Sequence, residues 1–147
     1  MSTGLPGERP PEPPLCEPAD LAVAVYWEQD GGGLRGQVVA ENVGGRACRL
    51  AGKPGVTPLA ADGTPLPAQT VSTLEWRSPG YVILEPGQRA AARLGWGSWC
   101  GQQAGGRARV DWGSGEAVAE VHGPSQPDCS PGQPGNLTSS WFQLTGQ

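Results

Sequence analysis

The sequence predicts an all-β domain closed by disulfides, and three observations point to it. Of the 147 residues, 24 are glycine and 16 are proline, the two residues that form helices least readily. Between them lie short segments in which apolar and polar residues alternate, as they do in a strand with one buried face. Four cysteines are spread widely along the chain. We therefore expect many short strands joined by turns.

The N-terminal segment differs in composition from the rest of the chain. It contains the run PGERPPEPP and almost no large apolar residue. Proline at this density favours an extended polyproline II conformation. We predict a flexible, proline-rich spacer over residues 1–18 and one β-sandwich domain over residues 19–147.

The clearest hairpin follows the spacer. In Leu21–Trp27 the larger apolar residues occupy every second position, with Ala22, Ala24 and Tyr26 on the opposite face. A second alternating segment, Leu34–Val43, comes after the turn sequence Asp-Gly-Gly-Gly at residues 30–33. Two alternating segments around a glycine-rich turn predict an antiparallel pair.

Further strands are predicted between turn signals such as Asp62-Gly63 and Glu85-Pro86-Gly87-Gln88. Their ranges are Val56–Ala60, Pro65–Ala68, Val71–Arg77, Tyr81–Leu84, Gln88–Trp96, Arg107–Trp112, Glu116–His122 and Ser139–Leu144. No segment has a convincing helical pattern. Short strands at this spacing predict an antiparallel β-sandwich of immunoglobulin-like architecture.

The cysteines indicate the compartment. None has a second cysteine within four positions, which argues against a structural zinc site and a redox CxxC motif. Two disulfides are expected instead, and disulfides persist in oxidising compartments, so we predict a secreted or cell-surface protein. Residues Met1–Pro14 lack the apolar core of a signal peptide. We therefore expect a signal or anchor segment to lie outside the given sequence.

Hairpin geometry favours one disulfide pairing among three. Cys16 precedes the first strand of the N-terminal hairpin and Cys48 follows its second strand, so both lie at one end of that hairpin. Cys100 and Cys129 flank the hairpin formed by residues 107–122 in the same way. We predict Cys16–Cys48 and Cys100–Cys129. The pairing of Cys48 with Cys100 and of Cys16 with Cys129 stays open.

Several classes of function are disfavoured. The net charge of −4 argues against a nucleic-acid-binding protein, and no apolar run approaches the roughly 20 residues of a membrane span. His122 is the only histidine, so a nucleophilic triad or a histidine metal site lacks partners. We predict no enzyme activity, no metal and no cofactor. A hydrolase that uses two carboxylates is the less favoured alternative, with these candidates: Glu75, Glu85, Asp111, Glu116 and Glu120.

Two segments resemble a known family. Val39–Leu66 reads VAENVGGRACRLAGKPGVTPLAADGTPL, and Val82–Cys100 reads VILEPGQRAAARLGWGSWC. Both are similar to motifs of the actinobacterial DUF4232 domain family, whose function is undetermined. Lys53 stands where that family often has an aromatic residue before the proline. The resemblance implies an exported, disulfide-containing β-sandwich, often tethered as a lipoprotein or behind a membrane anchor, and it supplies no catalytic residues.

The six tryptophans and the outward arginines are the remaining candidates for a site. Alternation places Trp27, Trp96 and Trp112 in the core. The candidate ligand surface consists of Trp76, Trp99, Arg89 and Arg93. The leading prediction is a non-enzymatic, exported cell-envelope domain with a binding or structural role, whose partner is an unknown envelope protein or glycan. The alternative is a carbohydrate- or peptide-binding module that uses exposed tryptophan.

Overall fold

The architecture is all-β. The structure, a computed structural model, describes residues 12–68, 70–133 and 135–145. Within them it contains one 3-10 turn, Pro18–Asp20, and no α-helix. The strands are β1 Leu21–Asp30, β2 Gly33–Asn42, β3 Cys48–Ala51, β4 Gly55–Pro58, β5 Thr70–Ser72, β6 Tyr81–Leu84, β7 Arg89–Trp96, β8 Arg107–Asp111, β9 Glu116–His122, β10 Leu137–Ser139 and β11 Gln143–Leu144.

One large mixed sheet dominates the molecule. Eight strands follow the order β4-β8-β9-β1-β2-β7-β10-β5, β11 also pairs with β7, and β3 pairs with β6 separately. The pairs β1–β9 and β10–β5 are parallel. The prediction of a purely antiparallel, immunoglobulin-like sandwich is therefore wrong, whereas the all-β class is confirmed. Each hairpin is antiparallel by local geometry, but the pairing between hairpins depends on long-range packing that alternation does not encode.

The large sheet nearly closes on itself. Its two edge strands, β4 and β5, are joined through one side chain, because Thr70 Oγ1 accepts from the Val56 N–H at 2.7 Å and donates to the Val56 carbonyl at 2.6 Å. The Thr70 hydroxyl thus forms hydrogen bonds with both backbone polar groups of Val56 on the facing edge strand. This contact covers edges that would otherwise be free to pair with other chains.

The N-terminal hairpin has the predicted form. Strands β1 and β2 pair from Leu21 opposite Asn42 to Asp30 opposite Gly33, and Gly31 at the turn has a φ of 64°, which favours glycine. In β7 every second residue is buried, as the alternation predicts. The inward residues of these strands, with Trp112 of the next hairpin, fill one continuous core.

The predicted strand Val56–Ala60 extends only to Pro58, and the predicted strand Pro65–Ala68 contains only an isolated bridge at Pro65. Two further predicted strands are shorter than expected or interrupted. Only Thr70–Ser72 of the Val71–Arg77 region is a strand, and the predicted strand Ser139–Leu144 is interrupted. Ser139 lies opposite Leu94 and Gln143 lies opposite Ala91. Between these two pairs the chain advances four residues, from 139 to 143, whereas β7 covers three, from 94 to 91. The extra residue forms a β-bulge. A bulge depends on the register with β7, which the alternation of residues 139–144 does not reveal.

The two disulfides join Cys16 to Cys48 and Cys100 to Cys129, with Cα–Cα distances of 4.9 Å and 4.6 Å. These are the pairs that hairpin geometry predicts. Cys16 and Cys48 are fully buried in the core, whereas Cys100 and Cys129 are exposed. The two bonds close similar lengths of chain but differ in how much packing depends on them.

The N-terminal segment contacts the domain ahead of β1. The Cys16 N–H donates to the Arg49 carbonyl at 2.9 Å, and the Arg49 N–H donates to the Pro14 carbonyl at 2.8 Å. Trp112 Nε1 donates to the Cys16 carbonyl at 2.9 Å. Residues 14–16 thus run alongside β3. The spacer and its boundary at residue 18 stay a prediction, and residues 1–11 lie outside the described part of the chain. No helix in the described residues is long and apolar enough to cross a membrane.

Candidate functional site

The most exposed apolar side chains of the described residues lie on one loop. This loop, residues 73–80, connects β5 to β6 and is called the Trp76 loop below. Leu74 is fully exposed, and Trp76 is 84% exposed. Large apolar residues gain free energy when they leave water. Two such residues, two positions apart on one loop, therefore form a candidate contact surface.

The base of the Trp76 loop is held by hydrogen bonds to its backbone. Lys53 Nζ donates to the carbonyl oxygens of Thr73 and Glu75, the second at 2.9 Å. Trp141 Nε1 also donates to the Glu75 carbonyl, at 3.2 Å. The Lys53 ammonium lies 5.1 Å from the centre of the Trp141 ring, within cation–π range. Lys53 is the residue that departs from the family motif, and here it attaches the loop to the domain.

The Glu75 carboxylate adds a second attachment. Its Oε2 lies 3.4 Å from Arg93 Nη2 on β7, and its Oε1 accepts from the Thr73 hydroxyl at 3.2 Å. Hydrogen bonding to the Ser140 side chain is the main cause that holds the pKa of Glu75 below its ordinary value. The Thr73 hydroxyl, the Trp141 backbone N–H and the Arg93 charge act in the same direction, and partial burial opposes them. All of these contacts favour the ionised carboxylate.

The lowered pKa of Glu75 predicts an acid-sensitive loop. The folded protein binds fewer protons at Glu75 than the unfolded chain does, so this contribution to stability is present above the unfolded pKa and is lost as the pH falls through the folded pKa. We expect the Glu75 carboxyl carbon to titrate in NMR below the usual range of a glutamate. The hydrogen-exchange protection of residues 73–77, corrected for the pH dependence of intrinsic amide exchange, is expected to fall over the same pH window.

Glu75→Gln is the matched variant for this pH dependence, because it keeps the shape and removes the titration. The Glu75→Gln variant is expected to abolish the acid-dependent change in hydrogen exchange of residues 73–77. A Glu75 midpoint at or above the ordinary value, or an unchanged acid step in the variant, contradicts the assignment.

The structure brings together only part of the predicted ligand surface. Arg93 meets the Trp76 loop through Glu75, whereas Arg89 pairs with Glu41 at 3.2 Å on the same face of β7. Both ion pairs are largely exposed and contribute little to stability. Their guanidinium groups remain accessible for binding.

Trp99 does not join this surface. It is partly buried, its ring centre lies 5.8 Å from that of Trp96, and its Nε1 donates to the Gln102 carbonyl at 2.7 Å. It lies beside Cys100 and packs against the core. Trp99 is therefore engaged in packing at a site apart from Trp76.

Two of the carboxylates considered for hydrolysis meet across a strand pair. Asp111 of β8 lies opposite Glu116 of β9, and both line a cleft of about 550 Å³. Asp111 Oδ1 accepts from the Gly113 N–H at 2.7 Å, and Glu116 Oε2 lies 3.2 Å from Arg109 Nε. Each carboxylate thus has a partner that stabilises a turn or a strand pair. No group of three or more potential metal ligands occurs in the described residues.

One set of surface residues was missed by the sequence analysis. On the outer face of the sheet, Tyr26 lies opposite Gln37, Gln37 lies opposite Arg93, and Tyr26 also lies opposite His122. Alternation indicated that Tyr26 points away from the core, but it could not show which side chains stand beside it. The row exists only through the register of four strands.

The comparisons with known proteins agree with the sequence motifs. A family model described as a domain of unknown function, DUF4232, matches residues 16–139. That range contains the described segments of both sheets except β11, and it includes all four cysteines. No curated protein and no solved structure matches the chain. The chain belongs to the DUF4232 family, whose members share a domain of unknown function.

Proposed function

We propose that the protein is an exported, non-catalytic binding domain of the cell envelope, and that the Trp76 loop contacts a protein partner. The exposure of Leu74 and Trp76 on an anchored loop is the observation that carries this proposal. Export is supported by the two disulfides, because such bonds are rare in reducing compartments.

The loop has the properties of an interface anchor. Burying a leucine side chain contributes about 1.5–3 kcal/mol, and tryptophan is enriched among the residues that dominate binding energy. The contacts of Lys53 and Trp141 hold the loop backbone before any partner arrives. A surface that is ordered in advance loses less conformational entropy on binding. An exposed apolar pair of this kind fits an apolar pocket on another protein.

A lipid surface is the less favoured target. Stable attachment to a membrane generally needs more than one anchoring signal. The Glu75 carboxylate stands between Leu74 and Trp76 in the sequence, and the chain carries a net charge of −4. Both features disfavour an anionic lipid surface. The two apolar side chains alone do not compensate for this repulsion.

Photo-crosslinking in the cells that make the protein tests the proposal. A photoreactive aromatic amino acid at position 74 is expected to yield a discrete protein adduct, whereas the same amino acid at Val118 yields none. Val118 is a matched position, because it is also apolar and exposed but lies on β9. Trp76→Ser in the position-74 protein is expected to lower the adduct yield about tenfold or more, as for an interface hot spot.

Two results contradict the proposal. One is the same adduct pattern from positions 74 and 118, or no adduct from either. The other is binding to phosphatidylcholine or phosphatidylglycerol vesicles that Trp76→Ser abolishes, because this assigns the loop to a membrane. Turnover of a glycoside that is lost in Glu116→Gln contradicts the non-catalytic assignment separately.

A further inference from the structure

A second surface lies on the outer face of β1, β2 and β7. We propose that this face binds a neutral oligosaccharide across the strands, with Tyr26, Gln37 and Arg93 as the contacting residues. These residues, together with the cleft beside them, are called the Tyr26 row below. The inference goes beyond the proposed protein contact, and the two surfaces meet at the Arg93–Glu75 pair.

The Tyr26 row is continuous because its members are direct cross-strand neighbours. His122, Tyr26, Gln37 and Arg93 lie on adjacent strands in that order. With strands about 4.8 Å apart, the row is about 14 Å long. The rings of Tyr26 and His122 stack with their centres 4.7 Å apart and their planes at 14°. The stack holds the tyrosine ring in place while 42% of the residue stays exposed.

Shallow depressions flank the row on both sides. On one side, the neighbouring cross-strand positions are the small or short residues Ala24, Val39 and Ala91. On the other side lies a cleft of about 480 Å³, which Tyr26, Gln37 and Arg93 share with the Glu28–Arg35 pair. A row of side chains with a depression on either side can contact a chain of sugar rings that lies across the strands.

The charges in the cleft balance, which favours a neutral ligand. Arg35 Nε lies 3.2 Å from Glu28 Oε1, and Arg93 is paired with Glu75 at 3.4 Å. Each guanidinium in the cleft therefore has a carboxylate beside it. The pairs are exposed and weak, so their polar atoms can turn to a ligand.

The hydrogen-bonding groups match hydroxyls. Gln37 offers both a donor and an acceptor, the arginines only donate, and Glu28 only accepts. Sugar hydroxyls both donate and accept, and the C–H face of a sugar ring packs on an aromatic ring such as Tyr26. The mixture of groups suits several adjacent hydroxyls better than a single charged group.

An extended peptide is disfavoured by the backbone. Peptides that add to a sheet pair with the free backbone groups of an edge strand. Strands β1, β2 and β7 have a neighbour on each side, so their face offers only side chains. The occupant must therefore be recognised by rings and hydroxyl-matching groups.

NMR titration of the whole protein with neutral tetrasaccharides tests the inference. Cellotetraose, maltotetraose, mannotetraose and chitotetraose are the probes, and at least one is expected to shift the signals of Tyr26, Gln37 and Arg93 together. Tyr26→Ala is expected to weaken that binding about tenfold or more. Gln37→Ala, at an exposed polar position, is expected to weaken it with the fold unchanged, so a folding defect at Tyr26 does not remove the test.

Val118→Ala is the matched control, since it is exposed on the neighbouring strand β9 and outside the row. It is expected to bind like the wild type. The inference is overturned if no probe shifts the row, if folded Tyr26→Ala and Gln37→Ala bind as the wild type does, or if a galacturonate or oligolysine probe binds in preference.

The two proposals can be refuted independently of each other. Trp76→Ser is expected to keep oligosaccharide binding, and Tyr26→Ala is expected to keep the protein adduct formed from position 74. Loss of the adduct alone refutes the protein contact, and absence of the titration shifts alone refutes the sugar site.

Discussion

Replacing Cys16 and Cys48 together by alanine is expected to lower the free energy of unfolding by about 4–5 kcal/mol, against about 2–3 kcal/mol for the same change at Cys100 and Cys129. The sequence separations of the two bonds are 32 and 29, so constraining the unfolded chain contributes almost equally in both. The difference comes from packing. Cys16 and Cys48 are completely buried, and removing their sulfurs leaves a cavity in the core.

The inner disulfide also holds the N-terminal segment beside β3. The Cys16 carbonyl accepts from both Trp112 Nε1 and the Ser114 hydroxyl, at 2.9 Å and 2.6 Å. When Cys16 is no longer tied to Cys48, these partners lose a fixed acceptor. The outer disulfide, by contrast, joins exposed loops, so its loss lowers stability mainly by removing a constraint on the unfolded chain.

Urea unfolding followed by tryptophan fluorescence measures both variants under identical conditions. The outer pair serves as the control for the generic effect of removing a disulfide. Equal losses, or a larger loss for Cys100 and Cys129, contradict the assignment of the inner bond to the core.

Asn42→Leu is expected to destabilise the domain by about 3–5 kcal/mol, because it leaves three buried or partly buried backbone groups without their partner. Asn42 is 1% exposed. Its Nδ2 donates to the carbonyl oxygens of Leu84 and Arg46 at 2.9 Å and 2.8 Å, and its Oδ1 accepts from the Gly44 N–H at 2.9 Å. Leucine has a similar volume but can make none of these bonds.

The contacts of Asn42 join the two sheets. Asn42 ends β2 of the large sheet, whereas Leu84 ends β6 of the small one. The bond to Gly44 shapes the turn that leads towards β3. The sequence Asn42-Val43-Gly44 is thus explained by structure, because the Asn42 side chain connects the two sheets at the point where the chain leaves one for the other.

Thermal unfolding of Asn42→Leu, followed by circular dichroism, checks this expectation. Asn136→Leu is the matched control, because Asn136 is exposed and the same substitution there removes no buried hydrogen bond. A melting temperature of Asn42→Leu within about 3 °C of the wild type, the shift expected for only about 1 kcal/mol, shows that Asn42 is not the connection between the sheets.

The candidate sites depended on tertiary contacts more than the fold did. Exposed tryptophan was expected at positions 76 and 99, and the structure exposes only Trp76. Trp76 lies in a segment predicted as a strand, whose attachment by Lys53 and Trp141 joins distant parts of the chain. Alternation and turn signals depend on residues two to four positions apart, so they cannot reveal contacts between distant parts of the chain.

By itself the sequence determined the all-β class, the β1–β2 hairpin and the inward position of Trp27, Trp96 and Trp112. These follow from alternation and turn glycines, which act within a few residues. The tertiary structure alone decided the parallel pairing of β1 with β9, the near closure through Thr70 and the Tyr26 row. Each of these depends on the register between strands, which is selected by packing of the whole core and not by any one segment.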